Sequence, residues 1–280
     1  MKISRCLSGA IAVFSFAAGA LLPTSAAAQS AQTGWESGKW QFAATIYGWF
    51  PAIDGKVNFP DDKGSTDFHI PFHNTLDHLK MAFMGTLDAH NGRWGVFTDA
   101  LYMDIGGTKS QTRDFSIGGI GIPAGTTAEQ NIELKSWVLT VAGEYRVASD
   151  PAWTVDLLAG ARMLYLKPTL GWSITGDLGP VFLPGRSGSK VITETLWDGI
   201  VGVKGRYAFG ENREWFLPFY LDVGTGQTKF TWQGVAGVGY SFHWGDVVAT
   251  YRYLDWNNKS GKPLADINMG GPMLGVIFHW

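Results

Sequence analysis

The chain has 280 residues, with 22 Lys and Arg against 24 Asp and Glu, a formal net charge of −2 and only 16% charged side chains. That mild acidity, which deepens by two once Lys2 and Arg5 leave with the leader described below, argues against a nucleic-acid binder or a polybasic membrane-surface protein. The informative excess is 37 Gly, 13 Trp, 17 Phe and 9 Tyr. Aromatics could fill a soluble core, but so many glycines inside strand-like runs suit tilted strands packed around a narrow lumen, with the aromatics in girdles at two membrane interfaces.

Residues 1–28 carry Lys2 and Arg5, then an apolar run from about Gly9 to Leu22, then Pro23 and the small-residue stretch Ser25-Ala26-Ala27-Ala28. The pattern predicts a secretory signal peptide cleaved near Ala28. The apolar run is shorter than the roughly 18 residues a membrane-spanning helix needs, and no later run reaches that length, so a membrane would be crossed with strands. Cys6 is the only cysteine and precedes the apolar run, which is not the position of a lipoprotein anchor. The mature chain therefore offers neither disulfide nor thiol chemistry.

Residues 29–39 read as a polar periplasmic leader, and from Trp40 the period becomes two. Trp40, Phe42, Ala44, Ile46 and Phe50 lie on one face of a first strand at about 40–50, with Gln41, Thr45 and Tyr47 on the other. A long outer loop at about 51–79 follows. Strands at about 80–90 and 93–104 meet across Asn91-Gly92, the strongest short-range hairpin signal. Further strands are predicted at about 133–147, 153–167, 196–209, 215–224, 230–242 and 247–256, with tight turns at 149–151, 210–213 and 243–246 and polar loops at about 107–127, 171–193 and 257–266. The last strand follows 266 and runs to Trp280. Short and long connections alternate, so residues 40–280 are expected to form an all-β, antiparallel, up-and-down transmembrane β-barrel of about ten strands with both termini periplasmic. One broken pattern, or one hairpin hidden in a long loop, would make it eight or twelve.

The apolar positions define an outward face that includes Trp137, Leu139 and Val141, then Trp153, Val155 and Leu157, then Trp197, Val201 and Val203, and then Trp215, Leu217 and Phe219. Trp40, Trp94, Tyr145, Trp153, Tyr207, Trp215, Tyr240 and Trp280 would ring the periplasmic interface. The opposite positions carry nearly all the mid-strand charge: Asp88, Asp99, Glu144, Asp156, Asp198 and Asp222 against Arg146, Arg162, Lys204, Arg206 and Arg252. A one-residue slip would aim these groups at lipid, where an Arg or Lys at the midplane costs roughly 2–4 kcal/mol. The leading reading is a packed charge network that fills the lumen, since buried charges must be paired. The alternative is a small aqueous pore for small solutes. Ten strands lie nearer the side-chain-filled eight-stranded barrels than the porins, which favours the packed network.

Asp67, His69, His73, Asp77 and His78 concentrate histidines in the first long loop. A metal site there, or an acid–histidine pair activating water at the outer rim, is the functional reading; a solvated loop with a short helical turn at about 74–79 is the plain one. Pro71 lies between His69 and His73, and no H-E-x-x-H spacing occurs. His90, His243 and His279 fall at turns or on the closing strand. Without a G-x-S-x-G elbow or a P-loop, the sequence nominates no catalytic residue, no metal and no cofactor.

The C-terminal residues Leu274, Val276, Phe278 and Trp280 alternate as large apolar groups on one face. That pattern resembles the signal read by the barrel-assembly machinery of Gram-negative bacteria. Trp40-x-Phe42 with Tyr47-x-Trp49-x-Pro51, the run from Arg93 to Asp99, the run from Pro218 to Gly224, and Tyr251-Arg252-Tyr253-Leu254-Asp255 together resemble a family of small, mostly uncharacterised proteobacterial outer-membrane β-barrel proteins. The last of these stretches is also similar to the closing strands of OmpA- and OmpW-like barrels. The resemblance implies an outer-membrane location in a Gram-negative bacterium, with outer-membrane lipid and the assembly machinery as partners and no nucleic acid. It leaves the solute or surface partner unspecified and carries over no catalytic residue. A structural or interaction role is therefore the first expectation, a narrow channel the second and a loop-based outer-rim hydrolase the third.

Overall fold

The computed structural model describes residues 38–58, 65–111, 116–117, 120–121, 126–178, 181–182, 186–191, 193–259 and 264–280. The signal peptide and most of the leader lie outside these residues. Ten antiparallel strands form a closed cylinder in chain order: β1 (Trp40–Trp49), β4 (Leu79–Asn91), β5 (Trp94–Gln111), β8 (Thr126–Ser149), β9 (Trp153–Leu178), β12 (Glu194–Phe209), β13 (Trp215–Gly226), β14 (Thr228–Phe242), β15 (Gly245–Asn258) and β16 (Leu264–His279). The first and last strands close it, in register from Ala43 opposite His279 to Trp49 opposite Met273. Trp280 extends the closure, because its amide donates to the Phe42 carbonyl and its own carbonyl accepts from the Phe42 amide. Closure leaves no edge strand within the wall.

The turns at 92–93, 150–152, 210–214 and 243–244 lie at the end that holds both chain termini, here the turn end, while the tight β13–β14 turn at Gln227 lies at the opposite end. Gly92 adopts φ 62 in the Asn91-Gly92 hairpin, and the Asp150 carboxylate accepts from the amides of Ala152 and Trp153, both at 2.8 Å. At the opposite, loop end the strands run further than their apolar alternation does. The segments read as loops at about 107–127 and 171–193 instead carry the outer parts of β5, β8 and β9, which stay paired as far as Gln111 opposite Glu129 and Thr126 opposite Gly176. They also hold the short strands β6 (Ser116–Ile117), β7 (Ile120–Gly121), β10 (Val181–Phe182) and β11 (Arg186–Val191), the last paired with β9. Ladder hydrogen bonds need no apolar face, so these polar extensions left no period-two signal.

The long first loop also differs from expectation. It contains β2 (Ala52–Asn58), β3 (Ser65–Ile70) and helix α1 (Phe72–Asp77). β2 continues the line of β1 along β16 past a break at Phe50 and Pro51, where the Phe50 amide still donates to the Pro272 carbonyl. Gly271 permits this crossing, since a Cβ there would lie 2.1 Å from the Phe50 carbonyl oxygen. β3 folds back on β2. The hidden hairpin therefore rises from the rim and leaves the closed count at ten.

Large apolar side chains cover the outside, among them Trp137, Val141, Leu157, Val201, Leu217, Leu221, Leu274 and Phe278. At the turn end Trp94 packs on Tyr145, Trp153 on Tyr207 and Trp215 on Tyr240, with ring centroids 4.5–4.9 Å apart. Each pair joins neighbouring strands in register, which makes the girdle part of the wall.

Candidate functional site

With the apolar face outside, the polar face of each strand is turned into the lumen, and the lumen is layered along its axis. At the turn end Arg206 pairs with Asp246 at 3.1 Å, stacks 3.9 Å from the Phe216 ring centroid, and shares Asp246 with His279 at 3.0 Å. Deeper, Lys204 bonds Asp88 and lies 2.7 Å from Glu144; His90 Nε2 lies 2.8 Å from Glu144 and 3.2 Å from Asp88; and Arg146 grips both oxygens of Asp156. At mid-barrel Arg252 donates to Asp99 at 2.6 Å, to the Tyr47 hydroxyl at 2.8 Å and to Gln233 at 2.8 Å. Beside it Arg162 and Asp222 form a two-pronged pair, with the Arg162 Nε donating to Thr140.

Side-chain exposure falls along the same axis. It is 47% at His279, 32% at Arg206, 15% at Lys204, 3% at Arg252 and 0% at both Arg162 and Asp222. Solvent thus enters from the turn end and stops at mid-barrel. The open part is a cavity of about 360 Å³ whose lining runs from Gln41 and His279 to Asp99 and Arg252.

Above mid-barrel the lumen is apolar. A single buried cluster joins Tyr47 and Trp49 of β1, Ile53 of β2, Ile70 of β3, Met84 of β4, Leu101, Met103 and Ile105 of β5, and Leu134 and Val138 of β8 to Leu164 and Leu166 of β9. It continues through Leu196 of β12, Leu254 and Trp256 of β15, and Ile267 and Met269 of β16. Because opposite walls contribute to one cluster, it spans the bore. The charges therefore occupy the turn half and the middle, and the loop half is filled by hydrocarbon, which the expectation of a charge-filled lumen did not include.

Of the mid-strand charges, Asp198 behaves differently from the rest. It is buried, but its carboxylate accepts from the Thr228 amide at 2.9 Å in the tight β13–β14 turn, and its register neighbour Arg162 turns to Asp222 instead. Conversely, His90, Asp246, Tyr47 and Gln233 belong to the lumen network although the sequence did not single them out. The signal for His90 lies on another strand. Gly95 faces it on β5 and Glu144 faces Gly95 on β8, so the ring lies flat over the glycine and reaches Glu144 one strand further on. A Cβ at Gly95 would meet the imidazole at 2.5–2.8 Å. Gly95→Ala is therefore expected to push His90 off Glu144 and cost about 1–3 kcal/mol, read as a lower midpoint in heat-modifiable gel migration.

The loop histidines do not converge on a site. His69 pairs with Asp54 on the exposed β2–β3 hairpin, His73 and Asp77 are exposed on α1, and the His78 carbonyl accepts from the Gly106 amide. Asp67 falls on β3, where its side chain is outside the described residues. Among the described residues, the one group of three with ligand atoms within 4.8 Å of one another is Asp88, His90 and Glu144. The Lys204 ammonium lies against both of its carboxylates, so the positive charge a metal would bring is already supplied by the chain.

Ten strands closed first to last, apolar outside and ion-paired within, define the outer-membrane type of β-barrel. Among solved structures the chain is similar to the outer membrane protease OmpT of Escherichia coli, at 11% identity with a TM-score of 0.57 over 88% of this chain and 100% of that one. It also matches the translocator domain of the autotransporter NalP of Neisseria meningitidis (17% identity, TM-score 0.39, 85% and 88% of the two chains). A third match is the attachment invasion locus protein Ail of Yersinia pestis (12%, 0.31, 86% and 98%). No family model matches the chain, and no curated protein matches it.

Proposed function

We propose that the mature chain is an integral outer-membrane β-barrel with a structural or interaction role and a lumen that does not conduct. The exposed apolar belt and its Trp–Tyr pairs support residence in a bilayer, since an apolar surface of that extent calls for lipid. The signal-peptide pattern of residues 1–28 and the alternation through Leu274, Val276, Phe278 and Trp280 support outer-membrane delivery by the assembly machinery, with the turn end in the periplasm. Strand motifs such as Arg93 to Asp99 and Tyr251 to Asp255 favour placing the chain with the small proteobacterial barrels.

The single observation that carries the non-conducting reading is the apolar cluster across the loop half, with Trp49 at 1% and Trp256 at 0% exposure. Water and ions entering at the turn end meet first the Arg252–Asp99 and Arg162–Asp222 pairs and then hydrocarbon, where an unpaired charge costs several kcal/mol. The loop-end strands and the β2–β3 hairpin, raised above the wall, are then the surface offered to partners. Planar-bilayer recording on the refolded chain 29–280, with heat-modifiable migration as the folding control, tests this. Folded protein is expected to give no current steps, and neutral replacement of Arg162 or Arg206 leaves no current to change. Discrete steps from a folded sample would replace this reading by the channel.

A further inference from the structure

We infer that the turn-end cavity is a binding chamber for a small amphipathic carboxylate, taken up from the side of the short turns. The cavity measures about 360 Å³, within the size range of small-molecule sites, and opens beside Arg206 and His279, whose side chains are 32% and 47% exposed. The polarity of its wall selects the ligand. Each lining carboxylate is already engaged by cations or hydroxyls of the chain: Asp246 by Arg206 and His279, Asp88 by Lys204, Asp156 by Arg146, and Asp99 by Arg252 and Tyr47. A cationic ligand would find no lining carboxylate that the chain does not already hold.

The donors are not used up in the same way. A guanidinium carries five N–H groups. Arg206 spends one nitrogen on Asp246 and one on Ser241, while Arg146 spends Nε and one terminal nitrogen on Asp156. Further in, Arg252, His90 and Thr250 are lining residues, and Arg252 Nε, His90 Nδ1 and the Thr250 hydroxyl are buried behind the wall without a hydrogen-bond partner among the described residues. His90 and Arg252 are more than nine-tenths buried. Buried polar groups in native proteins are normally satisfied, so unpartnered donors on three residues of one cavity wall, beside the spare N–H groups of Arg206 and Arg146, favour acceptor atoms there. The remaining wall is mostly apolar, with Phe97, Phe216, Val235, Val248 and Ile277 interrupted by Gln233 and the threonines Thr45, Thr86 and Thr154. Acceptor oxygens on a compact hydrocarbon or aromatic body match both parts.

The inference rests on the closed-lumen reading only in taking the turn end as the one way in. Binding is measured at equilibrium without flux, so bilayer currents would overturn that reading and leave this one to its own test. The test is equilibrium dialysis of phenylbutyrate, phenylbutanol and phenylbutylamine against the folded mature chain in lipid nanodiscs, with empty nanodiscs subtracted. We expect one saturable site for phenylbutyrate, about tenfold weaker binding of the alcohol, and none of the amine. Val235→Trp fills the cavity and is expected to abolish the site, and Arg206→Gln to weaken it about tenfold. The proposal is overturned if folded wild type shows no saturable phenylbutyrate binding above empty discs, if the amine binds as well as the acid, or if folded Val235→Trp binds like wild type. Should Val235→Trp fail the folding control, Arg206→Gln decides: unchanged affinity for phenylbutyrate overturns the proposal.

Discussion

Arg162→Met is expected to destabilise the folded barrel by about 3–5 kcal/mol, the largest effect of any single charge replacement in the lumen. Arg162 and Asp222 are both fully buried, and the guanidinium meets both carboxylate oxygens. Met occupies similar volume, so packing survives while Asp222 keeps a charge with neither water nor a base to receive it. Replacing both partners, Arg162→Met with Asp222→Leu, removes the orphan and is expected to return stability to near the starting value, because a buried pair offsets little more than its own desolvation. Arg206→Gln, at the one-third-exposed mouth, should cost no more than about 1 kcal/mol. Urea titration of the folded protein in vesicles, followed by tryptophan fluorescence and gel migration, measures all three. An Arg162→Met variant as stable as wild type would mean that Asp222 reaches water, and the mid-barrel barrier would then be wet.

The order of these effects follows from position along the bore, which the sequence shows only in part. Mid-strand Arg162, Lys204, Arg252 and the acids opposite them cannot face lipid, so the inward face of β4, β5, β8, β9, β12, β13 and β15 was legible from charge, while β1, β14 and β16 showed theirs by apolar alternation. The Asn91-Gly92 turn and the Trp–Tyr spacing fixed the turn end equally well. The loop end was harder, for two physical reasons. Where a strand is apolar on both faces, as in Leu164-Tyr165-Leu166, period two carries no local contrast, and Leu164 and Leu166 of the seal are told from the outward Tyr165 only by counting on from Arg162 along the same strand. Where a strand leaves the bilayer, as in β8 from Thr126 to Asn131, its ladder continues on polar residues that read as loop. β2 was hidden differently: Pro51 breaks the alternation although both sides of the break pair with β16. His90 and Asp246 sit next to turns in the chain, and only the closed wall shows that they face Glu144 and Arg206.

The seal itself gives the second large effect. Trp256→Ala is expected to cost about 3–5 kcal/mol, and Trp256→Phe clearly less. Large-to-small replacements are cheapest where neighbours can collapse into the space, and a cylinder of ten hydrogen-bonded strands has little freedom to shrink, which places Trp256 toward the upper end of that range. Trp49, on β1 beyond the closing strand β16, lies in the same cluster and carries a bond from its indole to the Gly271 carbonyl at 3.2 Å. Its loss would also release the Phe50–Pro51 crossing over Gly271. The double variant Trp49→Ala with Trp256→Ala is nevertheless expected to stay silent in a bilayer while folded, because Arg252–Asp99 and Arg162–Asp222 still close the bore beneath the seal. Currents from that double variant, with none from wild type, would locate the whole barrier in the apolar layer. The ion pairs would then hold the wall without blocking the lumen.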